Sequence, residues 1–373
     1  MNYEIEAKII TPVHVGAGQE KKLKKYIDFF YPKETKKIIL VDVSRFFLSL
    51  QENERSLFLN KLAAGKATDF YDYLRQRKFD PLKFKIAEIE SPHEPNDEVL
   101  PLITTPSGNV RVPYIPGSSV KGAIRSVIIT HLSEQERKNY DKTINEIALL
   151  GNIENNLMSF IHVSDFMFKE SRIDRIKTFN LMQEHGEWLA GWKHERKKTS
   201  CDFEIEGFVI FCETFKIGSR STGNVRLKKE RLDYVAKYRN NLPHLSFFKK
   251  IHSLEDIFGI INEHTKRYLL AEKKFFEHYH DSEANTDLII SAIDNLIKQI
   301  PKNNSECLLH MGFGSGWHGI TGNWKFADDH IHTGFKDGKP CYKSRKVVFR
   351  KVKEKGLTFY PMGFLKLSIL SEA

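Results

Sequence analysis

The chain has 373 residues, with 58 Lys and Arg against 48 Asp and Glu, a formal charge of +10, and 28% charged and 40% hydrophobic residues. This balance excludes a disordered chain and favours a polyanionic partner, and no stretch approaches the ~20 apolar residues of a membrane span. Cys201, Cys212, Cys307 and Cys341 show no CxxC spacing and the start has no apolar signal region, so a cytoplasmic protein with reduced thiols is expected.

Tyr3, Ile5, Ala7 and Ile9 alternate with Glu4, Glu6 and Lys8, the pattern of a half-buried strand. A turn-rich loop follows over 11–19 and turns basic at Lys21, Lys22, Lys24 and Lys25. Residues 26–31 and 38–43 read as a hairpin, Ser44 as the cap of a helix reaching about residue 62, and 69–77 as a second short helix. A strand is expected over 84–90, a polar connector over 91–97, and another extended segment at 110–114.

The next stretch, Pro113-Tyr-Ile-Pro-Gly-Ser-Ser-Val-Lys-Gly-Ala-Ile-Arg125, ends a strand and opens a helix. Pro116 holds Ile115 extended, Gly117 allows close approach, and Ser118 and Ser119 are candidate N-caps. Val120, Ala123, Ile124, Val127, Ile128 and Leu132 recur at helical spacing, with Lys121 and Arg125 on another face. Free amides plus two cations make an anion site; the alternative is a plain turn with two solvated cations.

Helix is expected again over 135–150, a mixed-face strand over 160–168, an irregular basic stretch over 188–199, and a strand over 203–211 with a bulge at Gly207. Residues 224–300 read as helical, with one or two helices over 254–280 and a stripe formed by Leu288, Ile289, Ala292, Ile293, Leu296, Ile297 and Ile300. Strands return at 307–311 and 364–370. The fold class expected is therefore α+β, divided as 1–215 and 216–373, with a helix-rich block and a C-terminal glycine-loop β region.

Residues 312–322 are dense in glycine, a backbone able to wrap an anion. Gly314, Gly316 and Gly319 form a GxGxxG match, but no amphipathic helix follows, so a dinucleotide fold is rejected. A nucleotide-binding enzyme built on this loop is the weakest of three readings. Between 325 and 355, ten Lys or Arg face four acids, with Trp324, Tyr342 and Phe349 interleaved; this suits single-stranded RNA, or is a solvated basic hairpin. Asp328, Asp329, His330 and His332 read as a solvated loop rather than a metal site, and no Walker A or HExxH motif occurs, so neither metal nor cofactor is expected.

Three segments in this order, Thr11-Pro-Val-His-Val-Gly-Ala-Gly18, Ile115-Pro-Gly-Ser-Ser-Val-Lys-Gly-Ala-Ile-Arg125 and the loop at 312–322, resemble the RAMP superfamily of CRISPR effector proteins. Val163-Ser-Asp165, Lys343-Ser-Arg345 and Pro361-Met-Gly-Phe-Leu-Lys366 add to the likeness, which spans nearly the whole chain; the block at 224–300 is not diagnostic. The resemblance implies an RRM-like, ferredoxin-type β-sheet core with insertions. It implies a subunit that caps the backbone filament of a type III-A complex and holds the 3′ part of the CRISPR RNA (crRNA). Its partners would be crRNA, the other RAMP subunits, and host nucleases recruited to trim the guide.

With that partner, the candidate RNA contacts are His14, Gly16, Lys21, Lys22, Lys24 and Lys25, then Ser118, Ser119, Lys121 and Arg125. Gly314, Gly316, Trp317 and His318 follow, and then Lys343, Arg345 and Lys346. No residue is assigned to catalysis. Sister subunits cut RNA with an aspartate in the loop after the first strand; the nearest counterpart, Asp28, reads as strand and is set aside. The alternative function is a metal-independent endoribonuclease with His14 as base.

Overall fold

The computed structural model describes residues 1–18, 21–107, 110–135, 149–152, 154–184, 187–194, 199–200, 202–238, 244–314, 335–336, 339–340, 343–352 and 356–372. Its architecture is α+β, built on two large sheets. The first is fully antiparallel, in the order Glu306–His310, Phe364–Glu372, Asn2–Ile9, Arg220–Leu227 and Ile161–Val163. The alternation in the first strand has its expected effect. Tyr3, Ile5, Ala7 and Ile9 are fully buried, and helices Gly117–Gln135 and Leu254–His278 pack over that face. Burying each such large side chain contributes roughly 1.5–3 kcal/mol.

The second sheet is organised around Ser171–Glu184, which pairs with Ile210–Phe215, Lys343–Val352 and Glu187–Lys193 along successive parts of its length. Both sheets draw strands from either side of residue 215. This long strand is absent from the sequence reading because it is polar: Asp174, Arg175, Lys177, Thr178 and Asn180 are all buried. Partners make that tolerable for Asp174, whose carboxylate accepts two hydrogen bonds from Arg350 at 2.9 and 2.8 Å and one from Thr214 at 2.7 Å.

Several local expectations change. The first helix is capped by Asp42, which accepts from the Arg45 amide at 3.0 Å; Ser44 lies inside it. It ends at Ser49 because Leu50 turns extended, and Glu52–Ala63 starts anew behind a Gln51–Glu54 capping box. Residues 160–168 are no single strand. Ile161–Val163 and Phe166–Met167 belong to different sheets, and the chain switches at Ser164 and Asp165. The stretch read as irregular contains the strand Glu187–Lys193, with Trp192 fully buried and its Nε1 donating to the Ala284 carbonyl. Residues 203–209 form no strand; that element is Ile210–Phe215. The helical block begins only at Lys229, after Arg220–Leu227.

Leu254–His278 is one continuous helix, fixed at its start by Ser253 and Asp256. Thr286–Lys298 buries Ile289, Ile293 and Leu296 as the stripe requires. The helix expected over 135–150 falls mostly outside the described residues. No helix among the described residues is long and apolar enough to cross a membrane.

Candidate nucleic-acid interface

The helix Gly117–Gln135 begins against the sheet switch. Pro116 accepts from the Ser119 and Val120 amides at 2.9 and 3.2 Å, and the Gly117 amide donates to Asp165 Oδ1 at 2.7 Å. The cap is thus a carboxylate brought from 48 residues away in sequence, not a seryl hydroxyl. It sits where the expected anion would have bound the amides. Gly117 is required for packing: a Cβ there would lie 2.0 Å from the Val163 carbonyl oxygen. Ser118 is exposed and Ser119 half-buried. Lys121 and Arg125 are half-buried on a helix that packs against Ile161–Val163. Burial, and then the neighbouring Arg125 charge, hold the Lys121 ammonium below its ordinary pKa.

The loop after the first strand forms a second assembly. Val13 accepts from the Phe215 amide at 2.9 Å and Val15 from the Ile103 amide at 2.8 Å, which pins His14 between the sheets. His14 Nδ1 lies 2.7 Å from the Glu213 carbonyl, so it carries the proton and Nε2 is the free lone pair. The ring is 3% exposed, and burial lowers its pKa against the raising effect of Glu213. Nε2 faces Gly16, where a Cβ would sit 2.7 Å away. Glu213 is itself fully buried. Its carboxylate binds Arg111 twice, at 2.6 and 2.5 Å, the Leu102 amide at 2.9 Å and Ser171 Oγ at 2.6 Å.

The start of the glycine loop docks here. The Phe313 amide donates to the His14 carbonyl at 2.9 Å, and Gly312, at φ 89°, passes so close that a Cβ would stand 2.7 Å from that oxygen. The Phe313 ring meets the His14 edge at 5.5 Å, and Lys346 Nζ lies 4.4 Å from the Phe313 centroid. Gly314, at φ 84°, packs against Lys346 and Met362. Three sequence-distant candidates therefore meet at one junction, while Lys121 and Arg125 lie elsewhere, beside the outer strand of the first sheet.

The remaining candidates divide. Lys21 and Lys24 are exposed; Lys22 pairs with Glu98 at 2.6 Å and Lys25 with Glu94 at 2.8 Å. Arg345 does not face outward. It is 3% exposed, donates to Glu272 at 2.8 and 3.1 Å, and stacks 3.4 Å from the Phe275 centroid. Strand alternation sends it inward and Lys346 to the other face. Phe349 is likewise core, against Arg175 and Phe203, and offers no stacking face. Asp28 lies in a turn, not a strand, and its carboxylate accepts from the Lys24 amide at 2.8 Å. Gly316, Trp317, His318, the side chain of Lys343 and the Asp328–His332 cluster lie outside the described residues; among those described, no cluster of metal-ligating side chains occurs. Glu213 and Arg111, which hold the junction together, were missed. An acid as the one charged residue of the segment Ile210–Phe215 was the available signal.

A model of the RAMP superfamily matches residues 6–319. The chain belongs to the RAMP superfamily. Two curated relatives are each described as CRISPR system Cms protein Csm5. The one from Methanocaldococcus jannaschii is 22% identical over 353 residues, 88% of this chain and 75% of that protein. The one from Streptococcus thermophilus is 24% identical over 152 residues, 37% of this chain and 40% of that protein. In fold, this RAMP chain matches a chain of a Csm–crRNA–target RNA ternary complex from a type III-A CRISPR-Cas system. There the TM-score is 0.61 at 18% identity, over 99% of this chain and 100% of that one. It also matches the crystal structure of T. onnurineus Csm5, with TM-score 0.57 at 15% identity, over 96% and 99% of the two chains.

Proposed function

We propose that this RAMP protein is an RNA-binding structural subunit of a type III-A Csm interference complex. In this reading it caps the backbone filament at the guide's 3′ end, binds crRNA and neighbouring RAMP subunits, and supports 3′ maturation through host nucleases. The first sheet, with its helical cover, is read as the RRM-like core. The observation that carries RNA holding is the placement of two cations: Lys121 beside the sheet edge, with no carboxylate among the main influences on it, and Lys346 over Phe313 at the His14 junction. Phosphates would be held there without their sequence being read. The buried His14 ring, bonded through Nδ1 and enclosed at Nε2 by Gly16, supports holding over cutting.

The test is reconstitution of the effector complex with and without this chain, followed by sizing of the bound guide. Addition should restore a defined set of shortened 3′ ends, and Lys121→Ala with Arg125→Ala should reduce guide retention several-fold. Guide lengths unaffected by omitting the chain would refute the capping role. Discrete cuts in repeat RNA that persist in EDTA and vanish with His14→Ala would establish the endoribonuclease instead.

A further inference from the structure

We propose that one face of the second sheet carries a path for single-stranded RNA, along which Lys24, Lys193 and Lys346 hold the backbone phosphates. The path rests on the RNA-binding reading above and adds Lys193, which no motif singles out, to two cations from remote segments. Strand register places all three on one face. Thr178 pairs with Lys346 across one edge of Ser171–Glu184, so their side chains share a face. Across the other edge Phe179 pairs with Trp192, and both belong to the core that includes Ile289 and Ile293. Lys193, one residue on, therefore points to the face of Thr178 and Lys346. Farther along that edge Ile210 pairs with Ile176, and the sheet continues through Glu98–Leu100 to Leu23–Lys24. Leu23 packs inward with Val99 and Phe211, which leaves the exposed Lys24 on the opposite face, that of Ile176 and Thr178. Lys24 and Lys346 thus stand four strand spacings apart, roughly 19 Å at about 4.8 Å each, and Lys193 lies between them.

The centre of this face is apolar: Ile176, Cys212, Val348 and Met362 are buried there, with Phe313 and Tyr360 packed on them. The cations line its rim. Lys346 Nζ lies 4.4 Å from the Phe313 centroid, and Lys193 Nζ lies 4.4 Å from the Phe208 centroid. A ring positions an ammonium without supplying an oxygen acceptor, so its N–H donors stay suited to phosphate. Lys193 is also near enough for its charge to act on the Lys346 ammonium. The acids on this face are engaged, Glu98 by Lys22 at 2.6 Å and Asp174 by Arg350 at 2.9 and 2.8 Å. Asp28 turns back on the Lys24 amide at 2.8 Å. Arg350, held on Asp174 and over the Tyr360 ring, bounds the path on its far side. Cations spaced along a line beside half-buried rings suit a single strand, whose phosphates track the charges while its bases meet the aromatic surface.

The experiment measures binding of a fluorescein-labelled oligouridylate to the full chain as a function of salt at pH 7. Lys24→Gln, Lys193→Gln and Lys346→Gln should each lower the slope of log K against log salt by about 0.7, and Lys193→Gln with Lys346→Gln by about 1.4. Lys193→Arg should keep the slope. Lys302→Gln removes the same charge from the exposed connection between Thr286–Lys298 and Glu306–His310, and should leave the slope unchanged. Thermal unfolding confirms that each variant is folded. If Lys24→Gln and Lys193→Gln leave the slope unchanged while Lys121→Gln lowers it, the path is wrong and RNA binding stands. A loss from Lys302→Gln equal to that from Lys193→Gln would show an effect of net charge alone and would likewise overturn the path. If the unaltered chain does not bind the oligonucleotide, both readings fail.

Discussion

The His14 junction and the outer edge of the first sheet carry motif residues of the same chemical kinds, yet their side chains are used in opposite ways. At the junction, polar groups are matched to one another: His14 to the Glu213 carbonyl, Glu213 to Arg111, and Arg345, farther along the same region, to Glu272. At the edge, burial and the neighbouring Arg125 charge depress the Lys121 ammonium, with no acid among the main influences on it. A matched buried network fixes geometry and leaves little to offer a ligand, whereas an unmatched cluster is relieved by an external anion. Within this fold the junction therefore aligns the two sheets, and on the function proposed above the edge is where phosphate would be held.

The largest effects that would break this comparison lie at the junction. Glu213→Ala removes the partner of a guanidinium, an amide and a hydroxyl in a fully buried site. It should cost about 3–5 kcal/mol, read as a shift of the urea midpoint at unchanged m-value. A loss under about 1 kcal/mol would mean that Glu213 is not the keystone described. Gly117→Ala tests the edge. Its Cβ would fall 2.0 Å from the Val163 carbonyl, so the helix start must shift. A destabilisation of roughly 1–3 kcal/mol is expected. Because Lys121 moves with the helix, the salt slope of RNA binding should also become shallower, which Glu213→Ala should not cause in the molecules that remain folded.

Much of the first sheet was legible because one face is buried, and burial of alternate residues writes itself into the sequence as Tyr3, Ile5, Ala7 and Ile9 do. The stripe of Thr286–Lys298 was legible for the same reason. Ser171–Glu184 was not, since its buried positions are polar and its partners, Arg350 and Thr214, are remote in sequence. The candidate site shows the same limit. Lys121 and Arg125 could be found from helical spacing, but the acid that caps their helix, Asp165, is brought there only by the tertiary fold. Arg345 and Lys346 looked equivalent as neighbouring cations, and only the pleat separates them.

That last pair gives the smallest and most discriminating test. Arg345→Ala leaves Glu272 buried at the Phe275 face without its bidentate partner. It should destabilise the protein by several kcal/mol while leaving the salt slope intact. Lys346→Gln should do the reverse. Its ammonium lies over the Phe313 ring and is held below its ordinary pKa chiefly by burial. Losing that contact should cost less than ~1 kcal/mol, whereas losing a phosphate contact should lower the salt slope by about 0.7. An unchanged slope in Lys346→Gln would remove the junction from the RNA path altogether and leave the sheet edge as the holding surface.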